Sequence, residues 1–255
     1  MRGGAALLAA LLLLAGCANP AAHVPPFARV PYQPFSRAAE IAIALDEWRA
    51  FGSPVDDAPP DSRPTPAPDA KPERWDGLWQ RVGLYWWLGM DAGTRQSRWT
   101  GKHDARGRAF PAQDDGRYAW SAAFISYVMR LAGAGPRFPY ADAHHVYINR
   151  AYARAIGRAR TDWLVSAEPP DRTAPRPGDL ICMSRTSPPL RFADLPAGRF
   201  PAHCDIVVAA APGVLSVIGG NVDDAVTLKH VPVTAQGLLD DPRYPWFVVL
   251  RVLAP

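Results

Sequence analysis

The strongest constraint on the fold is a change of grammar near Pro175. Beyond it the chain reads as short apolar and β-branched runs: Asp179 to Ser184, His203 to Ala209, Val214 to Gly219, Ala225 to His230 and Trp246 to Leu253. Proline or glycine turns separate them. Before it, apolar residues recur at three- and four-residue spacing, the period of a helix with one buried face. Helices first and strands afterwards predict an α+β architecture with a mostly antiparallel sheet of about five strands.

The amino terminus has a different logic. Met1-Arg2-Gly3-Gly4, an apolar run from Ala5 to Leu14 and the small residues Ala15-Gly16 read as a secretory signal over residues 1–16, too short to span a bilayer. Leu14-Ala15-Gly16-Cys17 resembles the lipobox of bacterial lipoproteins, which implies that Cys17 is lipidated and becomes the first mature residue. Several acyl chains, at ~0.8 kcal/mol per buried methylene, would hold the chain on a membrane. No aspartate follows Cys17, so the resemblance implies the periplasmic face of the outer membrane in a Gram-negative source. Residues 17–35, rich in proline and alanine, then form a lipid-anchored tether.

Loss of the leader removes one arginine and no acid, leaving a charge of about +3. A mildly basic chain without a lysine or arginine run suits contact with an anionic envelope polymer such as peptidoglycan, and gives no support to nucleic-acid binding. An apolar content of 48% is enough for a sizeable core.

Residues 36–112 read as a helical extension. Ser36 caps a helix to about Phe51, with Ile41, Leu45 and Trp48 on one face; seven prolines between residues 53 and 72 then mark a surface loop or linker. A second helix is expected from about Glu73, its core stripe made by Trp75, Leu78, Trp79, Val82 and Trp86. The polar stretch 91–116 carries His103-Asp104, expected as a solvated loop. Residues 113–255 form the expected core. A third helix runs from near Tyr118 to Gly133, and Asp142 caps a fourth whose face is marked by His145, Ile148, Tyr152 and Ile156.

With Cys17 acylated, Cys182 and Cys204 remain, an even number in an oxidising compartment. Each lies in an expected strand, and neighbouring antiparallel strands would bring them within bridging distance. Two buried free thiols are the alternative.

Three segments carry the chemistry. Trp120-Ser121-Ala122-Ala123-Phe124-Ile125-Ser126 opens the third helix; Pro177-Gly178-Asp179-Leu180 and His203-Cys204-Asp205-Ile206-Val207 start two strands; Ile218-Gly219-Gly220-Asn221 ends a third. In order and spacing they resemble hydrolases of the NlpC and CHAP type, a bacterial branch of the papain-like fold, over about residues 115–230. There the serine position holds a nucleophilic cysteine. As a whole the chain resembles a bacterial lipoprotein family defined only as a domain of unknown function, which has this Trp-Ser-Ala-Ala-Phe-Ile-Ser segment.

The resemblance implies Ser121 as nucleophile, His203 as base and Asn221 as the residue that orients it. A helix start supplies free backbone N–H groups and favours negative charge, which suits a nucleophile and its oxyanion. Serine lacks the ready ionisation of cysteine and depends on its base, and a serine-type imidazolium is usually stabilised by a carboxylate. Asp205, two residues along the strand from His203 and so on the same face, supplies one. Ser121 also reads as a small core residue of a degenerate site, and Asn221 as a turn residue after two glycines.

Trp120 and His145 are the expected substrate contacts. Adjacent helical residues point about 100° apart, so His144 and His145 do not readily share a metal, and no metal, nucleotide or redox motif appears. The expectation is therefore an envelope lipoprotein with no cofactor. It is either a Ser-His-Asn/Asp amidase acting on peptidoglycan peptides or a silent protein using the same cleft for a glycan, peptide or protein partner.

Overall fold

A computed structural model describes residues 34–254 except 63–65, 91–101 and 105. The leader, Cys17 and the tether up to Gln33 lie outside the described residues. Four helices come first: α1 (Arg37–Ala50), α2 (Leu78–Gly89), α3 (Ser121–Leu131) and α4 (His144–Ala155). Six strands follow: β1 (Val165–Glu168), β2 (Leu180–Ser184), β3 (Ala202–Ala211), β4 (Val214–Val222), β5 (Ala225–Pro232) and β6 (Trp246–Val252). They form one open sheet in the order β1-β6-β2-β3-β4-β5, every neighbouring pair antiparallel. The class is α+β, and the short β1 beside β6 makes six strands where about five were expected.

Ser36 caps α1 as its position suggested, its Oγ accepting from the Ala39 N–H at 3.0 Å. The second helix starts later than its aromatic stripe implied. Pro72–Arg74 forms a short 3-10 turn, and α2 begins only after Gly77, whose φ is 86°. Trp75 is left 49% exposed, while the buried face of α2 is Val82, Gly83, Tyr85, Trp86 and Gly89. In α4 the buried face is His144, Tyr147, Ile148 and Ala151, one residue out of phase with the expected stripe, and the residue before it is Ala143 rather than a capping Asp142.

Alternation along the strands buries both faces. Leu180, Cys182, Ile206, Val208, Val248 and Leu250 join the large core under the helices, whereas Ile181, Val207, Val217, Val231 and Val249 form a second, smaller cluster. Cys182 and Cys204 sit opposite each other on β2 and β3 and form a disulfide.

The proline-rich stretch is tied down where it meets the sheet. Leu228 of β5 donates to the Pro54 carbonyl at 3.0 Å and accepts from the Asp56 N–H at 2.9 Å, so this segment covers the edge strand. His103 is also ordered rather than solvated: its ring stacks on Trp79 at 3.8 Å and is 9% exposed. Among the described residues no helix is long and apolar enough to cross a membrane.

Candidate functional site

Ser121 is the first residue of α3, a helix whose residues 121–129 are all buried. The first intrahelical bond runs from the Phe124 N–H to the Trp120 carbonyl at 2.9 Å, so the N–H groups of residues 121–123 have no acceptor within the helix. Gly220 sets how closely this turn approaches the sheet: a Cβ there would stand 2.6 Å from the Phe124 Cβ and 2.9 Å from the Trp120 ring. Gly220 of β4 thus admits the start of α3.

The Ser121 hydroxyl meets a histidine, but not the expected one. Its Oγ lies 2.6 Å from Nε2 of His144, the first residue of α4. Nδ1 of His144 meets the Tyr147 hydroxyl one helical turn on. His203 stands beside this pair, its ring centroid 5.4 Å from that of His144. Its Nε2 lies 2.9 Å from Asp205 Oδ1, and its Nδ1 is buried without a hydrogen-bond partner.

Asp205 in turn holds Lys229, with Oδ2 to Nζ at 2.7 Å and all three side chains essentially buried. The carboxylate reaches from β3 past β4 to β5, and Gly219 makes that possible. A Cβ at residue 219 would fall 1.9 Å from Asp205 Oδ1 and 2.8 Å from His203 Nε2. A carboxylate only accepts, so His203 carries its proton on Nε2 and leaves Nδ1 as a bare acceptor.

The electrostatics follow from burial and these partners. Burial alone would raise the Asp205 carboxyl, but Lys229 and then His203 overturn this and hold it well below the usual range. Burial depresses His203 to about 4 even with Asp205 pulling the other way. His144 is pushed well below its ordinary value by burial and then by His203. At neutral pH the site is two neutral imidazoles beside an Asp-Lys ion pair.

Four expectations are revised by this geometry. Ser121 is not hydrogen-bonded to His203. His145, expected at the cleft, instead packs half-buried against Phe200 at 5.8 Å, because α4 turns His144 inward. Trp120 is fully buried, stacked on Phe51 at 6.0 Å with its Nε1–H donating to Glu73 at 2.6 Å, so it supports the core and offers no contact surface. Asn221 makes no hydrogen bond to His203; it takes a left-handed φ of 58° in β4 and lines a cleft of about 530 Å³ with Lys229 and Arg185. The residue hydrogen-bonded to His203 is Asp205. Neither Ser121, His144 nor His203 lines that cleft or two others of about 580 and 710 Å³.

Sequence reasoning chose His145 over His144 and missed Tyr147 and Lys229. The signals were present: histidine and tyrosine three apart on one helical face, and a lysine inside an apolar strand, where a charge needs a partner.

Residues 73–252 match the family described as an uncharacterized protein conserved in bacteria (DUF2272). The chain belongs to this family. The match takes in α2 to β6, hence Ser121, both site histidines, Asp205 and Lys229, while α1 precedes it. No curated protein and no solved structure matches the chain.

Proposed function

We propose that this DUF2272 member is a serine acyl hydrolase of the bacterial cell envelope, anchored through a lipidated Cys17. On this reading its core is a papain-like arrangement of the NlpC and CHAP kind, cleaving an amide bond in peptidoglycan stem peptides. The observation that carries the reading is convergence: the first turn of α3, the first residue of α4 and the start of β3 bring Ser121, His144 and His203 together, with Ser121 in a 2.6 Å hydrogen bond.

The chemistry then runs as acyl transfer to serine and on to water. Ser121 Oγ attacks the acyl carbon while its proton passes to Nδ1 of His203. Asp205, fixed by Lys229, offsets the imidazolium charge, and the first-turn N–H groups of α3 face the developing oxyanion. The proton goes on to the leaving nitrogen as the C–N bond breaks. Water then gives its proton to His203 and its hydroxyl to the acyl carbon, releasing the acid and restoring Ser121.

The test is to expose the full chain, in detergent, to a fluorophosphonate probe and to purified muropeptides beside Ser121→Ala. The expected outcome is labelling and a new carboxyl terminus in the product for the wild type alone. Equal labelling and equal turnover by both proteins would remove Ser121 from the mechanism.

A second reading has its own support. Ser121 is only 7% exposed and His203 fully buried, which suits a silent envelope protein that binds a glycan, peptide or protein partner elsewhere on its surface. Binding of sacculi by both proteins, with no product by mass spectrometry, would favour it.

A further inference from the structure

Tyr147 is fully buried, its ring 5.5 Å from that of Phe138. Burial, and secondarily Asp205, raise its phenol well above the ordinary value, so it keeps its proton. Among the described residues its hydroxyl has one hydrogen-bonding contact, Nδ1 of His144. Either tautomer of His144 leaves one of its two hydroxyl neighbours without an acceptor among the described residues; Tyr147 is fully buried whereas Ser121 is 7% exposed, so the phenol O–H is the costlier one to strand. Tyr147 therefore donates and Nδ1 accepts.

A neutral imidazole has a single N–H, so the proton of His144 sits on Nε2 and donates to Ser121 Oγ. That uses a lone pair of the serine and leaves its own O–H in need of an acceptor. On the ring beside His144, Nδ1 of His203 is a buried acceptor without a partner, and its other nitrogen is committed to Asp205.

We propose that Tyr147 and His144 form a donor clamp on the nucleophile, Tyr147 O–H to Nδ1 and His144 Nε2–H to Ser121 Oγ, which directs the serine proton toward His203. In this arrangement His144 is not a base, because the nitrogen that touches Ser121 already holds its hydrogen. It fixes the serine rotamer and donates to the oxygen as negative charge grows there. Tyr147 is a positioning residue that sets the tautomer. The two histidines thus divide the work: one gives a hydrogen bond, the other takes a proton.

The inference rests on Ser121 being the nucleophile, but its first test does not. In a long-range proton–nitrogen spectrum of the ¹⁵N-labelled full chain at pH 7, His144 is expected as the Nε2–H tautomer with a bare Nδ1. Tyr147→Phe is expected to let the second tautomer appear. A wild-type His144 protonated on Nδ1 overturns the clamp, whatever the activity proves to be.

The second test uses the rate of fluorophosphonate labelling. His144→Gln, which keeps an N–H donor, is expected to retain the rate within about 10-fold and to share the pH midpoint of the wild type, whereas His203→Gln loses ~100-fold or more, the scale of a general base. The reverse order would make His144 the base and overturn the proposal. Equal labelling of wild type and Ser121→Ala would instead sink the hydrolase reading, leaving the tautomer measurement to decide the clamp on its own.

Discussion

Two buried polar clusters contact α3, and they are finished to different degrees. In the helical layer Glu47 of α1 accepts from Tyr85 at 2.6 Å, from Tyr127 at 2.9 Å and from Arg81 at 3.0 Å to each oxygen, so both carboxylate oxygens are used. At the serine site His203 Nδ1 is buried and unpaired, and the Ser121 hydroxyl has one partner where it can make more. A complete network ties helices together and has nothing left to offer a ligand. An open buried acceptor is a costly arrangement to retain, and it fits the role proposed for the second cluster.

Glu47→Ala should show the largest loss of stability, ~3–4 kcal/mol by chemical denaturation, since it strands two buried hydroxyls and a partly buried guanidinium. A loss below about 1 kcal/mol would mean the completed network is not holding the helices.

Acid should act on the other cluster. A histidine held at about 4 in the fold and near 6.5 when unfolded gives stability that is whole above pH 6.5 and is lost as pH falls toward 4. For His203 this amounts to ~3 kcal/mol, and depressed His144 adds to the same slope. The denaturation midpoint of the wild type should drop across that window, and that of His144→Gln/His203→Gln should drop much less. Parallel curves would show that the histidines are not buried in neutral form.

Gly219→Ala should cost ~1–3 kcal/mol by overpacking against Asp205 and should also slow fluorophosphonate labelling. Lost stability with unchanged labelling would separate the His-Asp-Lys row from the chemistry. The smallest effect is expected for His145→Ala, within about 1 kcal/mol and with labelling unchanged, because its ring contacts Phe200 outside the network. A marked fall in labelling would return His145 to the site.

What the sequence disclosed follows from which forces are local. The Ser36 cap, the strand runs after Pro175 and the pairing of Cys182 with Cys204 depend on residues near in sequence or on simple alternation, and they were readable. The start of α2 was not, because Gly77 interrupts a stripe whose spacing alone would carry Trp75 into the helix. His144 was passed over for His145 because a phase error of one residue rotates a helix by about 100°. The Asp205–Lys229 contact was hidden because it crosses an intervening strand, and only the shape of Gly219 permits it. Ser121 and His203 were found by motif, but which histidine touches the serine is decided by tertiary packing that no local pattern records.

The cover on β5 limits how far the sheet can grow. The segment that takes the last free backbone groups of Leu228 carries Pro54, Pro59 and Pro60, residues with no N–H to lend to a newcomer. Hydrogen-bonded addition at the β5 edge therefore meets a strip of chain that makes a poor template. At that edge the arrangement works against edge-to-edge polymerisation.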